Sequence, residues 1–203
     1  MKTGDLILFK GTGLISKTIC TFTGRFSHSA KVIDSADCCE EFIKRYKLER
    51  NTFYLTESTS ISKCHDVFGN KFGGVQLVKL KDKLEKYSGM IWIKSLNKPL
   101  TWEMIRKFEE NINTHYGKPY DRPFVLAFAG LDLTPIQLEE DFSAWFCSEW
   151  CAYNDHSFGL FEGTTNQFKN INEFTPSDLG RDDFELAKGW SYLPAEKIGA
   201  HLL

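Results

Sequence analysis

No Cys-x-x-Cys pair, no phosphate-loop Gly-Lys-Ser/Thr and no dinucleotide-type glycine fingerprint occurs in this sequence. Zinc-ribbon, nucleotide-loop and Rossmann readings therefore have no footing, and no cofactor is expected. Long apolar runs are lacking too: none approaches the ~18 residues that span a bilayer. Before Lys10 only Leu6–Phe9 forms an apolar run, too short for a signal-peptide core, so a cytoplasmic location is expected. Charge of one sign is missing as well. With 25 Lys+Arg against 27 Asp+Glu, the formal charge is −2, which supplies no reason to expect nucleic acid or an anionic membrane as partner. Proline is scarce, at 6 residues in 203, and no repeat or linker interrupts the chain. A single domain over 1–203 is expected.

Aromatic and aliphatic side chains are plentiful. Hydrophobic residues make up 42% of the chain, with 17 Phe and 5 Trp, enough for a substantial core. Six cysteines (Cys20, Cys38, Cys39, Cys64, Cys147, Cys151) lack disulfide or zinc spacing, and most are expected to be buried as small hydrophobes.

The periodicity changes along the chain. Leu6–Phe9 reads as a strand, and Leu14–Phe22 as a helix ended by Gly24-Arg25. Phe26–Ile33 alternates, placing Phe26, His28, Ala30 and Val32 on one face. Asp34–Arg50 is expected to be a helix with Cys39, Phe42, Ile43 and Tyr46 as its stripe. Thr52–Glu57, Val75–Leu80 and Met90–Ser95 add strands, giving a mostly antiparallel sheet of about five. Thr101 caps a helix carrying Met104, Ile105, Phe108 and Ile112; further helices are expected over Phe124–Leu131 and from Ser143 to about Tyr153. Strands first and helices second indicate an α+β fold.

Three side chains carry candidate chemistry. Cys147 lies early in its predicted helix, where the free amides and the dipole favour thiolate; a core cysteine among aromatics is the competing reading. His28 shares the inward face of its strand, as a base or as a hydrogen-bonded core histidine. Glu57 falls on the apolar side of the next strand with Phe53 and Leu55. There it either orients an imidazole, as the third member of a triad does, or reaches solvent at the strand end. Tyr120, in the Gly-Lys-Pro-Tyr loop before the Cys147 helix, suits an oxyanion or substrate carbonyl, or equally a packed turn. Thr175-Pro-Ser-Asp reads as a helix-capping turn.

Taken in order, Gly4-Asp-Leu-Ile-Leu-Phe9, Phe22-Thr-Gly24 with Ser27-His-Ser-Ala30, Tyr54-Leu-Thr-Glu-Ser58, Gly74-Val-Gln-Leu77, Tyr116-Gly-Lys-Pro-Tyr-Asp121, Phe146-Cys-Ser-Glu149 and Phe174-Thr-Pro-Ser-Asp-Leu179 resemble the circularly permuted branch of the NlpC-type papain-like superfamily, the YiiX-like proteins. The resemblance implies a papain-like half-barrel packed on a nucleophile helix in the C-terminal half, with the histidine preceding the cysteine. It implies Cys147 as nucleophile, His28 as base and Glu57 as the third polar residue, with Tyr120 beside the substrate. A cysteine hydrolase of amide, peptide or thioester bonds is the activity it implies. The alternatives are an acyltransferase of the lecithin:retinol type and a binding module without turnover. The absence of an export signal argues against a cell-wall substrate, and residues 34–50 stand as a helical insertion.

Overall fold

The computed structural model describes residues 1–13, 16–17, 20–21, 24–60, 62–120 and 143–198. The chain is an α+β fold built on a six-stranded sheet in which all neighbours run antiparallel, in the order β4-β3-β2-β1-β5-β6. The strands are β1 (Leu6–Lys10), β2 (His28–Asp34), β3 (Phe53–Thr59), β4 (Gly74–Lys79), β5 (Met90–Lys94) and the two-residue β6 (Glu196–Lys197).

Period-2 alternation divides the core between the two faces of this sheet. On one, Leu6, Leu8, Ile33, Tyr54, Leu77 and Trp92 pack against α3 (Trp102–His115) and α4 (Cys147–Ser157), through Phe108, Ile112 and Trp150. On the other, Ile7, Phe9, Ala30, Val32, Leu55 and Val78 are covered by α2 (Leu80–Lys86), through Leu80 and Leu84. Thr101 caps α3 as expected, accepting from Met104 N. Thr175 caps α5 (Pro176–Leu179), its hydroxyl accepting from Asp178 N while the Asp178 carboxylate accepts from Thr175 N.

Several expected boundaries move. The helix expected over Asp34–Arg50 is confined to α1 (Glu40–Tyr46), because β2 continues through Asp34 and Lys47 takes a left-handed conformation (φ 52°) that ends the helix. Phe42, Ile43 and Tyr46 are its buried stripe, as the spacing indicated. Leu80 is not the end of a strand but the start of α2, whose Leu80, Lys83 and Leu84 line up at helical spacing. The helix expected from Ser143 begins at Cys147, which is thus its first residue. Within the expected 14–22 helix, Ser16, Lys17, Cys20 and Thr21 have helical backbone; its other positions and the whole of Phe124–Leu131 lie outside the described residues. Cys64, Cys147 and Cys151 are buried, whereas Cys20, Cys38 and Cys39 are only partly so. No helix among the described residues is long and apolar enough to cross a membrane.

Candidate active site

His28 opens β2 and points to the α2 face of the sheet, in register with Phe9 of β1. Glu57, on the same face of β3, bonds the imidazole: Nε2 and Oε2 are 2.6 Å apart. Two further side chains hold this carboxylate. Lys83 Nζ donates to both of its oxygens, at 2.6 and 2.7 Å, and Gln76 Nε2, directly across from it on β4, donates to Oε1 at 2.9 Å. Glu57 is fully buried, so the strand-end, solvent-facing reading does not apply. Burial alone would raise its pKa, but the Lys83 ammonium and then His28 overcome this and hold the carboxyl far below the usual range.

His28 is drawn below 6.5 by burial, which outweighs the raising influence of Glu57, and Lys83 adds to the lowering. With Glu57 ionised and the ring neutral, Nε2–H is the donor to Oε2 and the lone pair lies on Nδ1. Nδ1 has no hydrogen bond to a described residue. The ring is 15% exposed and lines a cleft of about 580 Å³ together with Tyr87, Tyr120, Lys63, Lys83 and Lys86.

Tyr120 reaches this cleft through the turn that precedes it. Gly117 N and Lys118 O pair with Val75 on the β4 edge, at 2.8 and 2.9 Å. This approach requires Gly74: its φ is +141°, and a Cβ there would sit 2.1 Å from Lys118 O. Pro119 O then accepts from Trp145 N, and Tyr120 bridges Trp145 in parallel, two residues before Cys147. The Tyr120 ring packs on Phe146 at 5.5 Å.

The start of α4 is anchored at the same end of the sheet. Ser58 Oγ on β3 donates to Trp145 O at 2.6 Å, and Glu149 accepts from Phe146 N at 2.7 Å, satisfying one of the free amides of the helix start. The β2–β3 pairing extends only from Lys31↔Thr56 to Asp34↔Phe53, so Ser29 is left out of it. Cys147 lies against that position. Its sulfur meets the amide and hydroxyl of Ser29 and the amide of Ser148, and the Ser29 hydroxyl lies between Cys147 and Cys151 without a well-formed bond to either.

Helix position predicted a thiol eased towards thiolate. Burial instead pushes the fully buried Cys147 thiol well up, and the Ser29 and Ser148 amides only partly oppose it. No hydrogen bond joins Cys147 to His28 among the described residues, and Cys147 is not part of the cleft wall. The histidine faces α2, whereas α4 packs on the opposite face. The fold thus brings His28 and Tyr120 to one cleft, with Glu57 buried behind His28 and Cys147 behind the wall beside Ser29.

Sequence reasoning missed Lys83, Gln76 and Ser29. Lys83 had a signal, since it occupies the apolar stripe between Leu80 and Leu84. Gln76 had a weaker one: it alternates with Val78 on the buried side of β4.

No protein-family model and no curated protein matches this chain. A solved structure does: the metalloprotein YiiX from Escherichia coli O157:H7, with a TM-score of 0.51 and 19% sequence identity. The fold is YiiX-like. The match takes in 75% of this chain but only 63% of the YiiX chain, less than two thirds of its length. At this identity the likeness to YiiX is one of fold.

Proposed function

We propose that this chain is a cysteine hydrolase of the permuted papain-like kind, which cleaves an amide, peptide or (thio)ester bond through Cys147, His28 and Glu57. The observation that carries the reading is the 2.6 Å His28–Glu57 bond at the wall of an open cleft, made through Nε2 so that Nδ1 is left to accept a proton. The buried carboxylate, held ionised by Lys83 and Gln76, would stabilise an imidazolium as well as fix the ring.

In this mechanism Nδ1 takes the Cys147 proton as the sulfur attacks the substrate carbonyl carbon. Glu57 fixes the ring and stabilises the imidazolium. In this reading the developing oxyanion is assigned to Tyr120, which lines the cleft, and to the amide of Cys147, the first residue of its helix. His28 then protonates the departing amine, alcohol or thiol, and the acyl group remains on sulfur as a thioester. Water, deprotonated by His28, releases the acid and returns the thiol. The reading requires the thiol and Nδ1 to meet once substrate enters.

The E. coli protein is described as a metalloprotein. The donor set here does not fit a metal: no three His, Cys, Asp or Glu side chains among the described residues form a ligand group, and the carboxylate beside His28 is occupied by the Lys83 ammonium. No step passes through one.

A second reading, ligand binding without turnover, has one observation behind it, the burial of Cys147 behind the cleft. The two separate in iodoacetamide labelling followed cysteine by cysteine across pH. The hydrolase reading expects Cys147 to label faster than Cys64 and Cys151 below the ordinary thiol value of about 8.5, and His28→Ala to slow it. A Cys147 as inert as Cys151, or indifferent to His28→Ala, removes the nucleophile and leaves the binding reading. Product analysis with an added amine then separates hydrolysis from acyl transfer.

A further inference from the structure

The cleft beside His28 has an unbalanced charge. Three lysines, Lys63, Lys83 and Lys86, line it, and no Asp or Glu does among the described residues. Lys83 is neutralised within the wall by Glu57. Lys63 and Lys86 are exposed at the rim and make no ion pair among the described residues. The imbalance is local, because the chain as a whole carries −2.

The rest of the wall suits the same kind of ligand. Ser60 and Ser88 add hydroxyls at the rim. Tyr87, whose ring packs edge-on against Phe9 at 4.8 Å, lines the interior. Burial, opposed only by its bond to Ser27, pushes the Tyr87 hydroxyl up to about 12, so it keeps its proton and donates. An anion entering here meets cations and hydroxyl donors, with no Asp or Glu among the described lining residues and with Glu57 behind the wall neutralised by Lys83, and a cleft of about 580 Å³ matches a small molecule rather than a protein surface.

We propose that this cleft binds a small acyl compound through an anionic group, a carboxylate or a phosphate, held between Lys63 and Lys86. The proposal rests on the hydrolase reading for the acyl bond presented to His28 and Cys147; the anionic group follows from the cleft alone. Lys63 and Lys86 are then positioning and specificity residues that orient the reacting carbonyl without touching it.

The test is an NMR titration on the Cys147→Ser protein, observing the His28 ring proton, so that the result does not depend on turnover. The probes are N-acetylalanine, its uncharged amide and inorganic phosphate. Saturable shifts are expected with the acid or with phosphate and not with the amide, weakening about fivefold in K63Q/K86Q and with added salt. The double variant K63R/K86R, which keeps both charges, retains binding. Preference for the acid assigns a carboxylate substrate, and preference for phosphate a phosphorylated one. Equal binding of acid and amide, no shift with either anion, or binding unchanged in K63Q/K86Q overturns the proposal. Anion binding together with an inert Cys147 in the wild type sinks the hydrolase reading alone; a reactive Cys147 without anion binding sinks this one alone.

Discussion

Lys83 Nζ sits between the two carboxylate oxygens of Glu57, at 2.6 and 2.7 Å, so that the residue holding His28 is itself held by a helix on the same face of the sheet. The ammonium keeps Glu57 charged in a site where burial alone would favour its neutral form.

Replacing Lys83 by Gln therefore makes the His28–Glu57 pair bind a proton at higher pH than in the wild type. The ammonium disfavours a second positive charge on the ring, and its loss removes that penalty. Titration of the His28 ring resonance reads this directly. A pair that titrates as before would show that Lys83 is a packing residue. Stability is expected to fall by about 3 kcal/mol, because a buried carboxylate loses its cation, and Lys83→Arg should recover part of it.

On the opposite face, Lys31 and Asp155 form a fully buried pair at 2.6 Å, joined by the Tyr192 hydroxyl. Lys31→Met leaves the carboxylate without its cation and should cost about 3–5 kcal/mol in urea unfolding. Lys31→Met with Asp155→Leu should regain most of that loss. A double variant as unstable as the single would show that the pair contributes beyond mutual neutralisation.

His115 accepts the indole N–H of Trp145 at Nδ1, at 3.0 Å, so protonation there competes with a buried hydrogen bond. Burial, helped by Lys118, draws His115 down to about 4. A base whose folded value lies below its unfolded 6.5 binds more protons when unfolded. Its contribution to stability is complete above pH 6.5 and is lost as pH falls from there to about 4. The loss amounts to about 3–4 kcal/mol at most, at 1.4 kcal/mol per unit. Urea midpoints followed across this window should fall steeply in the wild type and less steeply in His115→Gln.

Gly74 and Gly117 both have positive φ, +141° and +82°, but only at Gly74 would a Cβ collide with backbone. Gly117→Ala should lose about 1 kcal/mol, and Gly74→Ala about 2–3 kcal/mol, since it also parts the β4 edge from the turn that carries Tyr120. Thermal unfolding of the two variants side by side checks the order. If they are equally destabilised, the β4 edge does not set the position of that turn.

Much of this arrangement is written in short-range pattern. Alternation along 26–33 and 52–57 put His28 and Glu57 on buried faces of successive strands, and the sheet realises both. Thr101 and Thr175 announced their caps, because a capping side chain needs only its own next turn. Other features depend on segments distant in the chain. Lys83 is marked locally only by its place between Leu80 and Leu84; its carboxylate partner is 26 residues away. Gln76 meets Glu57 only through the β3–β4 register. For Cys147, the local helix dipole favoured thiolate, yet burial against β2 prevails and raises the thiol instead. Period and capping are properties of a few consecutive residues. Desolvation, strand register and ion pairing are set by which segments meet, and here packing on both faces of the sheet decided them.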